Sequence, residues 1–217
     1  MTITPNLEYD VIIPNKNGIH YISNAIESVL NQSLPAKNIY IVDDNSSDGS
    51  VKYIKANFPK VNLLHSPSSG QAKALDFAIS KIKSEFVSFL DADDYWNTEK
   101  QKKQMNLIVA TEGISYITSG VRNFIENPDG TISTKDFPNA FTLGAMTFKS
   151  KVVREIPLAV HDQDLSWLFS FYDRIRLLPS LPTNSIELNR RIHEQNTTLL
   201  RKSEYVESIF NYLRRRS

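Results

Sequence analysis

Phe86-Val87-Ser88-Phe89-Leu90-Asp91-Ala92-Asp93-Asp94-Tyr95-Trp96 joins a short apolar run directly to three carboxylates. The first half is short, rich in aromatic and β-branched side chains and bounded by polar residues, the pattern of a fully buried strand. The acids then stand at the strand's C-terminal edge, where open α/β sheets bind their ligands. Carboxylates this close repel, each raising the pKa of the others. A divalent cation relieves that repulsion. Hard ions such as Mg²⁺ or Mn²⁺ take carboxylate oxygens and keep positions open for water and substrate phosphates. The competing reading is a solvated acidic turn that caps a helix starting near Asn97, since Asp and Asn favour N-caps and acidic turns are common.

Three more strands of the same kind precede this one. Tyr9-Asp10-Val11-Ile12-Ile13-Pro14 is an apolar run stopped by proline, followed by the turn residues Asn15-Lys16-Asn17-Gly18. Ile19, Ile22, Ala25, Ile26, Val29 and Leu30 recur at helical spacing up to about Gln32. Ile39-Tyr40-Ile41-Val42 is a second buried strand, running into Asp43-Asp44-Asn45-Ser46-Ser47-Asp48-Gly49. A helix through Val51, Ile54 and Phe58 follows, with Asp48 or Ser50 as its cap. Val61 to Leu64 is a third strand, Ser66-Pro67-Ser68-Ser69-Gly70 a loop, and Ala74, Leu75, Ala78, Ile79 and Ile82 mark the next helix. This alternation predicts a parallel, doubly wound sheet with right-handed crossovers over the first ~100 residues. Asp43-Asp44 and Asp91-Asp93 then open on one edge, together with the Pro14–Asn17 and Ser66–Gly70 loops. That rim suits a nucleotide with a metal-bound diphosphate. No G-x-G-x-x-G follows the first strand and no P-loop occurs, so neither a dinucleotide fold nor a P-loop enzyme is indicated.

The 217 residues read as one domain, with a nucleotide-binding half over about 9–110 and an acceptor-side half over about 111–217. With 41% hydrophobic and 23% charged residues the composition is that of an ordinary soluble chain, and a net charge of +1 gives no reason to expect nucleic acid as a partner. There is no cysteine, which excludes disulfides and thiolate metal sites. Neither a signal peptide nor an apolar run near the ~20 residues of a membrane span is visible, so the expected compartment is the cytoplasm.

Four segments together resemble family 2 glycosyltransferases. They are Val11-Ile12-Ile13-Pro14-Asn15-Lys16-Asn17, Ala25-Ile26-Glu27-Ser28-Val29-Leu30-Asn31-Gln32-Ser33, Ile41-Val42-Asp43-Asp44-Asn45-Ser46-Ser47-Asp48-Gly49 and Phe89-Leu90-Asp91-Ala92-Asp93-Asp94. Any one of them is weak, but four in the family's order and spacing are highly specific. The resemblance implies an α/β GT-A fold, with a mostly parallel Rossmann-like sheet flanked by helices and a smaller acceptor-side region. It also implies a nucleotide-sugar donor, Mn²⁺ or Mg²⁺, a carbohydrate or glycolipid acceptor and inversion at the anomeric carbon. By the resemblance Pro14 and Asn15 line the nucleotide pocket, with Asn17 and Gly70 on the adjoining loops. Asp44 contacts the base, and its acceptor oxygens favour a UDP-sugar because uracil offers an imide N–H. Asp91-Ala92-Asp93 is the D-x-D, with Asp93 the more direct metal ligand and Asp91 beside it.

Where the family often has Arg-Asn after the glycine loop, this chain has Leu75-Asp76. Lys73 is the nearby replacement for that charge, or else a helix-surface lysine.

In the second half Ile114–Thr118 and Val121–Ile125 read as strands, and Asn127-Pro128-Asp129-Gly130 as a turn into Thr131–Ser133. Gly144–Ser150 with Val152-Val153 resembles the family's acceptor-side strand-to-helix step. His161-Asp162-Gln163-Asp164 resembles its catalytic segment, which puts the general base at Asp162; otherwise Asp162 caps a helix carrying Leu165, Leu168 and Phe169. Arg190–Thr198 resembles a late Arg-x-His segment near the diphosphate, with Arg191 and His193 as cationic donors. The tail carries Val206, Ile209, Phe210 and Leu213 at helical spacing before Arg214-Arg215-Arg216. It reads as a terminal helix packed on the domain, or as a peripheral contact with the inner face of a membrane. The rival functions are a nucleotidyltransferase and a non-catalytic nucleotide- or carbohydrate-binding domain.

Overall fold

In the computed structural model, which describes residues 7–138, 140–158, 166–194 and 196, the run Tyr9–Asn15 is the central strand β1. It pairs in parallel with β2 (Asn38–Asp43) on one side and β4 (Phe86–Phe89) on the other, and β3 (Asn62–His65) extends the sheet beyond β2. Helices α1 (Ile22–Leu30), α2 (Ser50–Asn57) and α3 (Gln71–Ile79) make the crossovers. A strand covered on both faces has no polar side, and Val11, Ile12 and Ile13 are accordingly all buried. Their alternation sorts them all the same. Ile12 joins Val87, Phe89, Leu75 and Ala78 on the α3 face, while Val11 and Ile13 join Ile22, Ala25, Ile26 and Val29 of α1 on the other. β3 is an edge strand and keeps Asn62 and His65 exposed.

The second half adds mainly antiparallel strands. After the acids come β5 (Tyr95–Trp96), α4 (Lys100–Ala110), β6 (Tyr116–Glu126) and β7 (Ile132–Phe137). A 3₁₀ turn at Leu143–Ala145 leads to β8 (Thr147–Lys149), α5 (Ser150–Glu155), α6 (Ser166–Ile175) and β9 (Ser180–Arg191). The strand order is β3-β2-β1-β4-β8-β6-β9-β5, with β7 paired to β6. β8 joins both β4 and β6 antiparallel, β9 runs parallel to β6, and β5 closes antiparallel on β9.

Several local expectations change. The two strands expected over 114–125 are one strand, β6, bent by register shifts around Gly120. There a Cβ would lie 2.5 Å from Ile186 Cδ1 and 3.0 Å from the Pro138 backbone, so only glycine fits the bend. α1 begins at Ile22, because Gly18–Tyr21 forms a turn ahead of it. Gly49 holds the N-cap position of α2 with φ +92°, while Asp48 behind it accepts from the Ser50 N–H at 2.9 Å. α4 starts at Lys100 with no side-chain cap, so the acids do not cap it. The buried stripe of α6 is Trp167, Phe171 and Ile175, with Leu168 packed at its margin. Strands β5 and β9 had no counterpart in the local pattern. Among the described residues no helix is long and apolar enough to cross a membrane. The expected helix after Glu204 and Arg214–Arg216 lie outside the described residues.

Candidate active site

Strand order reverses between β1 and β4, so their carboxyl ends flank the crevice in which doubly wound sheets bind ligands. The loop after β1 and the acidic turn after β4 touch there. A Cβ on Gly18 would lie 2.5 Å from Asn15 Oδ1 and 3.4 Å from Ala92 Cβ, so glycine is what allows the two to close up. Asn15 is buried, and its amide nitrogen donates among Asp43 Oδ1 (2.9 Å), Ser46 Oγ (3.1 Å) and Ser50 Oγ (3.0 Å). It ties the loop after β1 to the segment after β2. Asn17, at φ 53°, braces the same loop by donating its N–H to Ser46 Oγ and accepting from the Ser47 N–H. Pro14 is half-buried beside it. Burial raises the Asp48 pKa, but hydrogen bonds from Ser50 and from the Ile19 N–H outweigh it and hold the carboxyl below its ordinary value.

Asp44 is buried where β1, β2 and α3 meet. Its oxygens accept from the Gly70 N–H at 3.0 and 3.1 Å, and Oδ2 also accepts from Lys16 Nζ at 3.1 Å. Gly70 has φ +118°, which favours glycine and turns its N–H onto Asp44. A carboxylate has about four lone-pair positions, so one remains for a further donor. Lys73 is exposed on the first turns of α3. The two residues that depart from the family pattern have structural roles: Leu75 is in the core, and Asp76 Oδ1 accepts from the Leu158 N–H at 2.9 Å.

The three acids of the turn differ. Asp94 is buried and accepts from the Arg191 N–H at 2.9 Å; burial, with the charges of Asp93 and Asp91, pushes its pKa well up. Asp93 Oδ2 lies 3.1 Å from both His193 Nε2 and Asn196 Nδ2, while its Oδ1 has no partner among the described residues. Among the described residues Asp91 has only a long contact, 3.4 Å from Gln71 Nε2. Desolvation and the Asp93 charge push it up to about 6, with Arg190 pulling the other way.

β9 delivers the late segment to this turn. His193 rests its ring 4.7 Å from that of Tyr21. Arg191 is buried: its Nε donates to the Asp93 carbonyl at 3.3 Å, its Nη1 pairs with Glu126, and its guanidinium lies over the rings of Tyr21 and Phe124. Asn196, Tyr21, Glu126 and Gln71 were not singled out from the sequence. Asn196 stood inside the donor-rich segment, but nothing local marked the other three. Asp162 and its neighbours His161, Gln163 and Asp164 lie outside the described residues.

The family described as "Glycosyl transferase family 2" matches residues 10–172, three quarters of the chain. The chain belongs to glycosyltransferase family 2. It is 36% identical over 104 residues to TuaG of Bacillus subtilis, a glycosyltransferase named for teichuronic acid biosynthesis, covering 46% of this chain and 41% of that one. It is 32% identical over 102 residues to the poly(ribitol-phosphate) β-N-acetylglucosaminyltransferase TarS of Staphylococcus aureus, covering 44% and 18%. The chain thus spans less than half the length of these relatives. Solved structures share the fold. TarS 1–349 with UDP-GlcNAc superposes with a TM-score of 0.65 at 19% identity, over 87% of this chain and 60% of that one. Glucosyl-3-phosphoglycerate synthase of Mycobacterium tuberculosis, with Mn²⁺, UDP and phosphoglyceric acid, gives 0.64 at 15%, over 96% and 78%. The sheet is therefore that of a GT-A glycosyltransferase, and membership of the family sets aside the nucleotidyltransferase reading.

Proposed function

We propose that this glycosyltransferase is a metal-dependent inverting enzyme that moves a sugar from a UDP-sugar to an acceptor hydroxyl in polysaccharide or glycolipid synthesis. The observation that carries the reading is the state of Asp91 and Asp93 at the β1/β4 crevice. Among the described residues Asp93 is oriented by His193 and Asn196 with Oδ1 unpartnered, and Asp91 has only the long Gln71 contact and is destabilised as an anion. No group of three protein ligands for a metal occurs among the described residues. Two carboxylates completed by substrate phosphates are, however, a usual set for Mg²⁺, so the residues fit such an ion. Asp93 and Asp91 would hold it. When bound, the cation neutralises charge on the departing nucleoside diphosphate.

In this reading Asp44 accepts the imide N–H of uracil, while Asn15, Asn17 and Pro14 set the walls of the base pocket. Gly70 and Lys73 line the opening of α3. His193, backed by Arg191, offers donors near the diphosphate. Asp162, ahead of α6, takes the acceptor proton on the face opposite the leaving group. The Mn²⁺ and UDP-GlcNAc in the two solved structures support a cation and a UDP donor. The relatives named for teichuronic acid and poly(ribitol-phosphate) support a polymeric acceptor. A panel of nucleotide sugars, UDP-sugars among them, tests the whole reading. Turnover is expected with Mn²⁺ or Mg²⁺ and none in excess chelator; full turnover in chelator overturns the metal, and no turnover of any nucleotide sugar overturns the donor class.

A further inference from the structure

Tyr21 stands at the end of the loop after β1, one residue before α1. Its N–H donates to the Gly18 carbonyl at 2.9 Å, and its own carbonyl accepts from the Asn24 N–H at 3.0 Å. The loop behind it is held as well. The Ile19 N–H donates to Asp48 Oδ2 at 2.8 Å, and Gly18 lets the loop close on Ala92. The Tyr21 ring therefore projects from a backbone fixed by the turn, by α1 and by the segment after β2.

Two side chains of the late segment meet this ring. The His193 imidazole lies 4.7 Å from it, centre to centre, with the planes inclined by 37°, and the guanidinium carbon of Arg191 is 5.2 Å from its centre. The two depend on it unequally. Arg191 is the last residue of β9, and Glu126, the Asp93 carbonyl and the Phe124 ring also hold its guanidinium. His193 lies beyond the strand. Its backbone N–H donates to Asn196 Oδ1 at 2.7 Å, which leaves the side-chain torsions to be set by what the ring touches. That ring meets Asp93 Oδ2 through Nε2 at 3.1 Å and rests on Tyr21.

The Asp93 contact alone is a poor anchor for a group that serves the diphosphate. Asp93 is the proposed cation ligand, and a cation on its oxygens makes them weaker acceptors for His193. Contact with an aromatic ring does not depend on that charge. It holds the imidazole plane, and with it the directions of both ring nitrogens. The Tyr21 hydroxyl makes no hydrogen bond among the described residues, so the ring is what Tyr21 contributes there.

We propose that Tyr21 is a positioning residue for donor binding, its ring holding the His193 imidazole beside Asp93 in place for the diphosphate. This rests on the reading of His193 as a hydrogen-bond donor to the diphosphate and names what keeps it there.

Calorimetric titration of the full chain with UDP and with uridine, both in Mn²⁺, tests it. Uridine lacks the diphosphate, so the ratio of the two affinities reports on that end of the site. Tyr21→Ala is expected to cut UDP affinity by roughly 2–10-fold, the worth of an aromatic pair, and to leave uridine affinity unchanged. Tyr21→Phe keeps the ring and matches the wild-type chain. Tyr21→Leu fills the loop without a planar ring; it behaves as Tyr21→Ala does, and replaces it in the test if the alanine chain does not fold. In a chain already carrying His193→Ala, Tyr21→Ala adds no further loss. Equal losses for UDP and uridine mean that Tyr21 only shapes the loop. A loss in Tyr21→Phe as large as in Tyr21→Ala makes the hydroxyl a ligand contact, and additive losses in the double variant mean that Tyr21 acts without His193. Each of these overturns the proposal, as does unchanged UDP affinity in Tyr21→Ala while His193→Ala lowers it. If His193→Ala itself leaves UDP affinity unchanged, the diphosphate reading of His193 falls and takes the Tyr21 role with it.

Discussion

Asp93 and Asp94 are adjacent, yet the structure gives them different burial and different partners. Asp94 is buried and accepts the Arg191 N–H, so it serves the turn. Asn in its place keeps that acceptor oxygen and removes a charge that burial and its acidic neighbours oppose. Asp94→Asn is therefore expected to fold and to bind UDP in a Mn²⁺-dependent way, whereas Asp93→Ala loses the metal dependence; calorimetric titration of UDP with and without Mn²⁺ distinguishes them. Asp44 predicts the base. With Gly70 and Lys16 already on its oxygens, the remaining acceptor position suits the uracil imide, so UDP binds more tightly than GDP and Asp44→Ala erases the preference. Tighter binding of GDP by the wild-type chain removes Asp44 from this role. For Asp162 the change to Asn removes the basic oxygen and keeps the shape. Turnover then falls by about 10²–10⁴-fold with UDP affinity unchanged. Normal turnover in Asp162→Asn together with loss in Asp164→Asn moves the base two residues on.

At the scale of elements, α4 is held under the sheet by polar groups. Gln101 Nε2 donates to Ser88 Oγ of β4 at 2.9 Å, Thr147 Oγ1 of β8 donates to Gln104 Oε1 at 2.6 Å, and Gln104 Nε2 donates to the Ala145 carbonyl at 2.7 Å. Lys100 ends this network fully buried, with Nζ 2.9 Å from Gln104 Oε1 and 4.0 Å from the centre of the Trp96 ring. Burial drives its pKa well below the ordinary 10.5, opposed in part by the Glu187 charge. Between the depressed value and 10.5 the unfolded chain binds more protons than the folded one, so stability rises with pH across that window. Methionine fills similar space without a proton to lose, and Gln104 keeps Thr147 as a partner. Lys100→Met is thus expected to raise the melting temperature at pH 7, by roughly 2–4 °C for each kcal/mol gained. The advantage shrinks as pH approaches 10. Melting curves at pH 7 to 10 decide it: a lower melting temperature at pH 7 means that the Trp96 and Gln104 contacts outweigh the burial of the amine.

At the scale of the whole molecule, the described residues form two cores, one on each side of the sheet, and both draw on both halves of the chain. One sets Ile12, Val87 and Phe89 against Phe148, Trp167 and Phe171; the other sets Val11, Ile13 and Ile26 against Ile117, Val121 and Leu188. Without β8, β4 becomes a bare sheet edge with Phe89 uncovered. The chain should therefore unfold as one unit, with calorimetric and van't Hoff enthalpies equal, and a fragment ending at residue 112 should be insoluble or molten. A soluble fragment with native near-ultraviolet dichroism would show the halves to be independent.

What was legible in the sequence is what local burial imprints. β1, β2 and β4 are covered on both faces, so Val11-Ile12-Ile13, Ile39-Tyr40-Ile41-Val42 and Phe86–Phe89 read as unbroken apolar runs. The Ile22, Ala25, Ile26, Val29 stripe likewise reads as α1. Parallel strands all point one way, and that alone brings Asp44, Gly70 and Asp91 to one edge. β5 and β9 exist because Tyr95 meets Asn189 across 94 positions, and β6 is continuous because Gly120 accommodates Ile186 and Pro138. No local period encodes such pairings. The same reason divides Asp93 from Asp94: they are chemically identical neighbours, and only partners that tertiary packing supplies from 97 to 103 residues away, the Arg191 N–H for Asp94 and His193 with Asn196 for Asp93, make one a buried part of the turn and leave the other half-buried.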